Sequence, residues 1–227
     1  MQHLLSYFVF LSLTLGIQAA RDPMRLTHGP MLGNPTSDSV RVWGRTSDPG
    51  EFSVRYGKVE GKLDQVSEPT TTRISNDNTG YAILRNLKPD QTYHYQVYIK
   101  DRPHGLPGSF LTLPNAEYTR NAEHNPKGLF NFRFQIGSCA NQNPIHGNGH
   151  RAKTYENLNR DWAHKTNFHI MNGDWLYEEL REYPVEAWRL RAGIDALPPV
   201  VNLMPTVVGV WENYKLYLSR GISLSQW

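Results

Sequence analysis

The chain reads as an all-β sandwich followed by an α/β unit. Three observations support this. From Met31 to Leu113, short stretches of alternating apolar residues lie between polar turns; Asn115–Gly128 is polar and aperiodic; and beyond it two apolar runs, Phe132–Ile136 and Phe168–Met171, flank a helical pattern.

The N-terminal stretch comes first. Leu4–Ile17 is an apolar run of signal-peptide length, too short for a comfortable membrane span, and Gln18-Ala19-Ala20 supplies small residues suited to cleavage. His3 and the α-amino group are its only flanking positive charge, so an uncleaved anchor is the alternative. Residues 1–20 are expected to be a signal peptide that directs the chain to the periplasm, the cell surface or the medium.

The sandwich is expected over residues 25–114. In Ser39–Arg45, Val40 and Val42 alternate with Arg41 and Trp43. Phe52, Val54 and Tyr56 repeat the period of two after the turn Asp48-Pro49-Gly50. A strand follows at Thr79–Leu84. Leu87-Lys-Pro-Asp-Gln-Thr-Tyr93 is then a turn feeding a strand that places Tyr93, Tyr95 and Val97 on one face, and Gly108–Leu113 closes the set before Pro114. Strands at this spacing suit an antiparallel sandwich. The Leu-x-Pro-x-x-Thr-Tyr stretch resembles the corner of fibronectin type III domains, which implies that the Tyr93 hydroxyl bonds back to the chain. His94 and His104 are isolated, and this half shows no catalytic constellation.

Residues 115–130 read as a linker and 131–227 as a second domain. Its opening is a strand at Phe132–Ile136, a helix at Ala152–His164 and a strand at Phe168–Met171. Tyr155, Leu158 and Trp162 fall at i, i+3 and i+7, one helix face able to pack on a sheet. The two strands of such a βαβ unit run parallel. The loops after both strands then emerge at one edge, where Cys139 and Asp174 can meet although 35 positions separate them. Pro184–Trp227 reads as helical in pieces, Val185–Ile194 and Thr206–Ser219.

The net charge of +3 comes from dispersed residues without a Lys/Arg block, which argues against a nucleic-acid arm. The single cysteine, Cys139, cannot form an internal disulfide in an exported chain. Its thiol is therefore buried, paired between chains, or bound to something.

Two motifs sit where the apolar runs give out: Ile136-Gly-Ser-Cys139 and Asn172-Gly-Asp-Trp-Leu-Tyr177. In open α/β sheets, ligands and metals gather outside the carboxyl ends of strands. A thiol, a carboxylate and a phenol form a donor set that suits a high-valent transition metal. Asp174 and Tyr177 are three apart and share a face if the chain turns helically there. A phenol ordinarily ionises near pH 10, so phenolate ligation near neutrality needs a strongly acidic cation such as ferric iron.

Taken together, a β-sandwich, then Phe-Arg-Phe-Gln-Ile-Gly-Ser-Cys, then Ile-Met-Asn-Gly-Asp-Trp-Leu-Tyr-Glu-Glu resembles the PhoD-like alkaline phosphatases of the calcineurin-like metallophosphoesterases. The resemblance implies a fibronectin type III-like N-terminal domain and the first part of an α/β metallophosphoesterase domain. It implies Cys139, Asp174 and Tyr177 as ligands of Fe3+, with Asp174 bridging to a second divalent metal, Ca2+ in that family. It implies phosphate-ester substrates, small-molecule, lipid or nucleotide, cleaved as a monoester or a diester. Purple acid phosphatases share Gly-Asp-x-x-Tyr and a sandwich but carry Asp where this chain has Cys139.

The family's further ligands, an Asp-Asp-His-Glu-like segment and later Asn and His, belong beyond Gly-Asp-x-x-Tyr, and no such segment occurs before Trp227. The expectation is therefore a truncated frame carrying half of an active site, inactive as it stands. Gly147-Asn148-Gly149-His150 precedes the Asp motif and reads as a loop; His164 and His169 read as structural. The alternative function is a secreted, non-catalytic β-sandwich module for binding or surface attachment.

Overall fold

The computed structural model describes residues 23–139, 157–158, 160–162, 165–174, 211 and 214–215. The expected signal peptide, Gly147–His150, Tyr155, His164, Tyr177 and the Val185–Ile194 helix lie outside the described residues.

Eight strands build the sandwich: β1 (Leu26–Gly33), β2 (Val40–Thr46), β3 (Gly50–Gly57), β4 (Gln65–Val66), β5 (Thr70–Thr72), β6 (Thr79–Leu84), β7 (Thr92–Ile99) and β8 (Arg102–Leu111). One sheet runs β1-β2-β6 and the other β4-β3-β7-β8, with β5 also pairing β3. Every pairing among these strands is antiparallel.

The period of two dictates which face is buried. Val40, Val42, Ala82 and Leu84 from one sheet face Phe52, Val54, Tyr56, Tyr93, Tyr95, Val97 and Ile99 from the other, and together with Leu87 they form the core. Val42, Val54, Leu84 and Val97 are wholly removed from solvent. Each such side chain contributes about 1.5–3 kcal/mol by leaving water. Burial also pushes the Tyr95 phenol far above its ordinary ionisation range, so the ring stays neutral in the core.

The tyrosine corner is present. The Tyr93 hydroxyl accepts the Lys88 backbone N–H at 3.0 Å, and its ring stacks on Phe110 with centroids 5.7 Å apart.

Four of the eight strands differ from the sequence expectation: β4 and β5 were not expected, and β1 and β8 begin early. β1 begins five residues before Met31, at the edge beside β2; Gly29-Pro30 and register shifts on both sides of His28 break its alternation. Edge strands and bulges are where a sheet tolerates Pro. Gly29 has φ of +90°, and a Cβ there would lie 2.8 Å from the Trp43 carbonyl oxygen. β8 begins at Arg102, six residues before Gly108, because Lys100 and Asp101, both at positive φ, turn the chain directly out of β7. Pro103 and Pro107 fit because β8 is also an edge strand.

The stretch after the sandwich is irregular but tied down. Asn115 caps a single helical turn, α1 (Ala116–Thr119), by accepting the Tyr118 N–H at 2.7 Å. Asn125 holds both ends of the following loop through Thr119 and Leu129.

Beyond it, β9 (Phe134–Gly137) and β10 (Phe168–Met171) pair in parallel, Phe134 opposite Phe168 and Gly137 opposite Met171. Between them Asn157, Leu158, Arg160 and Asp161 are α-helical, and the Trp162 N–H reaches the Leu158 carbonyl at 2.9 Å. Leu158, Trp162 and Thr166 line a groove of about 490 Å³ with Phe132, Arg133, Phe134 and Gln135. Leu158 and Trp162 of the expected helix face thus share the lining of this groove with Phe132 and Phe134, whose rings stack with Phe168.

Candidate metal centre

Parallel pairing sends the chain out of β9 and β10 in the same direction, and the two loops that follow lie side by side. The Asn172 N–H donates to the Gly137 carbonyl at 2.7 Å, and the Cys139 N–H donates to the Gly173 carbonyl at 3.3 Å. These two bonds fix one loop against the other beyond the last strand pair. They place the Cys139 thiol 3.1 Å from the Asp174 carboxylate oxygen Oδ2, to which it donates.

The backbone at this point is left-handed. Cys139, Gly173 and Asp174 have φ of +57°, +87° and +52°. Left-handed conformations cost a non-glycine residue about 1–2 kcal/mol, and such outliers gather at functional sites. Gly173 takes the position with the largest φ, where a Cβ is least tolerated. With left-handed backbone at both Cys139 and Asp174, the two side chains meet across the strand ends.

The thiol and carboxylate fit a metal. Thiolate and carboxylate are both metal-ligating groups, and donors this near each other are within reach of one ion. The proton held between sulfur and oxygen is the one a cation displaces on binding, because thiolate and carboxylate are the ligating forms. The Cys139 side chain is exposed, so an ion has a path to it.

Two of the three expected ligands are therefore brought together across 35 positions; Tyr177 lies outside the described residues. Among the described residues no group of three or more His, Cys, Asp and Glu gathers. His169 is not part of the pair: it lies on β10 opposite Gln135 on β9. Its ring carbon Cε1 comes 3.6 Å from where a Cβ on Gly137 would stand. Burial lowers its affinity for a proton. The sequence signal for such a packed polar pair is only the alternation Phe134-Gln135-Ile136 against Phe168-His169-Ile170, which sets Gln135 and His169 on the face opposite the phenylalanines.

The fold and the paired loops define a sandwich-led protein with a parallel β unit at its carboxyl side. Residues 12–114 match the family model of the PhoD-like phosphatase N-terminal domain. Over these residues the chain is similar to the N-terminal domain of the PhoD-like phosphatases. The structure of PhoD itself is similar to this one at 16% sequence identity with a TM-score of 0.53, over 85% of this chain and 37% of that one. The chain thus spans little more than a third of PhoD's length, and at this identity the likeness concerns the fold. The sensor domain of the anti-sigma factor RsgI4 of Pseudobacteroides cellulosolvens is similar over 41% of this chain and 97% of its own, at 18% identity and a TM-score of 0.33. A fibronectin type III domain of the human KIAA0970 protein is similar over 40% of this chain and 74% of its own, at 13% identity and a TM-score of 0.26. No curated protein matches the chain.

Proposed function

We propose that the chain belongs to an exported, metal-dependent phosphohydrolase of the alkaline phosphatase D type. In this reading residues 1–20 are the signal peptide, 25–114 the sandwich, 115–130 the linker and 131–227 part of the phosphatase domain. The observation that carries it is the 3.1 Å approach of the Cys139 thiol to the Asp174 carboxylate at neighbouring parallel strand ends.

Cys139, Asp174 and Tyr177 would hold Fe3+, and Asp174 would also serve a divalent neighbour, Ca2+. When bound, the two ions supply Lewis acidity toward a phosphoryl group and the water that attacks it. The protein's own part is to bring a thiolate and a carboxylate to one point, to hold them in register through Asn172 and Gly173, and to leave the donors open to solvent. A phosphate monoester or diester is the substrate, and no helix among the described residues is long and apolar enough to cross a membrane.

The test is iron content and the visible spectrum of the purified protein, with a phosphomonoester and a phosphodiester assayed in parallel on the full gene product. A tyrosinate-to-iron band lost in Tyr177→Phe, and hydrolysis lost in Asp174→Asn, support the reading. A colourless protein that takes up no iron favours the alternative, a secreted sandwich that binds without catalysis.

A further inference from the structure

The chain carries two Asn-Gly pairs, Asn148-Gly149 and Asn172-Gly173, and the second lies among the described residues, in the loop after β10. Asn172 and Gly173 are both exposed. Among the described residues neither the Asn172 side-chain amide nor the Gly173 N–H takes part in a hydrogen bond. A Cβ added to Gly173, whose φ is +87°, would meet nothing within 4 Å. The backbone on either side is nevertheless held. The Asn172 N–H is bonded to the Gly137 carbonyl at 2.7 Å, and the Gly173 carbonyl accepts the Cys139 N–H at 3.3 Å.

A free carboxamide and a free peptide nitrogen thus stand side by side in solvent, between two fixed points. These are the requirements for attack of a backbone nitrogen on the side chain that precedes it. Any residue with a Cβ in the second position screens that nitrogen, and glycine has none. A hydrogen bond to either partner would hold it away from the other, and neither has one.

We propose that Asn172-Gly173 is a self-modifying junction, which converts to isoaspartate and thereby separates Cys139 from Asp174. The Gly173 nitrogen gives up its proton to water and bonds to Asn172 Cγ. The Cγ–Nδ2 bond breaks, ammonia leaves, and a five-membered imide closes. Water then opens the ring at one of two bonds. Breaking the bond between the nitrogen and Cγ gives aspartate on an unaltered main chain. Breaking the bond between the nitrogen and the α-carbonyl gives isoaspartate, whose main chain runs through Cβ and Cγ.

The isoaspartate route adds one carbon to the main chain, about 1.5 Å of path, between the bond to Gly137 and the bond to Cys139. Ligand positions at a metal are met to within about 0.2 Å. The lengthened loop cannot keep both bonds and also the 3.1 Å approach of Cys139 Sγ to Asp174 Oδ2. The modification does not depend on the phosphatase reading, and its effect is read on the metal-free thiol.

The full chain, free of metal, is held for weeks at mildly alkaline pH and physiological temperature beside a synthetic peptide of residues 168–178. Peptide mapping with isoaspartyl methyltransferase labelling locates the product. Isoaspartate should accumulate at position 172 of the folded chain at a rate comparable to the peptide's. Asn172→Gln, whose longer side chain disfavours ring closure, should stay unlabelled there. The isoaspartate form, separated by ion exchange, should alkylate at Cys139 at a rate severalfold different from the fresh chain, in the same direction as Asp174→Ala. A peptide that converts while the folded chain does not overturns the proposal, and needs no variant. Equal alkylation rates in the converted and fresh chains overturn it as well.

Discussion

The Tyr93 hydroxyl accepts the Lys88 backbone N–H at 3.0 Å, closing the turn that feeds β7. The chain between the donor and the ring, which includes Pro89 and the positive-φ Asp90, is held by this bond. Removing the hydroxyl leaves that N–H without its partner while the ring still fills the core. Tyr93→Phe should therefore lower stability by about 1–2 kcal/mol, the scale of one lost hydrogen bond with a part-buried donor left behind. Urea unfolding monitored by circular dichroism measures it, with the m-value unchanged.

Phe52 is 2% exposed and stands among the buried side chains of both sheets. Truncation to Ala removes the ring's transfer energy and leaves a cavity. Phe52→Ala should cost about 3–5 kcal/mol, a large share of a small domain's stability, visible as loss of the cooperative thermal transition near room temperature.

Asp77 titrates at about 2 rather than 3.8, chiefly because Arg45 hydrogen-bonds its carboxylate and Lys215 adds a second partner. A depressed carboxylate contributes stability that is present above 3.8 and lost as pH falls toward 2. Its side chain is half exposed, so solvent screening reduces the contribution to below about 1 kcal/mol. Asp77→Asn should flatten the acid limb of the thermal stability profile between those values and leave the neutral plateau lowered by that small amount. An acid limb of unchanged slope in the variant would contradict this.

Cys139 and Asp174 should act as one unit toward metal. Loss of a residue that merely orients a ligand costs about 10–100-fold in metal affinity, so removal of a direct donor should cost at least as much. Cys139→Ala and Asp174→Asn should each lower retained iron by an order of magnitude or more by elemental analysis. In the unaltered protein bound iron should slow alkylation of the exposed thiol. Equal labelling rates with and without iron would separate the thiol from the metal.

The sandwich was legible because alternation writes its buried face into the sequence. Val40, Val42, Phe52, Val54 and Tyr56 are named by period alone, and all are core residues. β1 was not, because a bulge and Gly29-Pro30 interrupt the alternation where an edge strand can tolerate it. Half of β8 was hidden for the same reason, its prolines imitating a loop. β4 and β5, two and three residues long, carry too few positions to show a period. At the candidate site, the meeting of Cys139 and Asp174 followed from one topological fact, parallel strands, and the left-handed backbone at both residues left no mark beyond Gly173. The contacts of His28 and Asp77 with Lys215 had no local signature, since the partners come from three distant stretches.

The pairing of β9 with β10 has a consequence for inheritance. Cys139 and Asp174 owe their separation to the spacing between neighbouring strands, about 4.8 Å for any sheet, and to two backbone bonds just past the strand ends. Nothing in that arrangement measures how much chain lies between them. Insertions and deletions in the crossover can accumulate without disturbing the thiol and carboxylate, so related chains should keep the two short motifs while varying freely in the distance from one to the other.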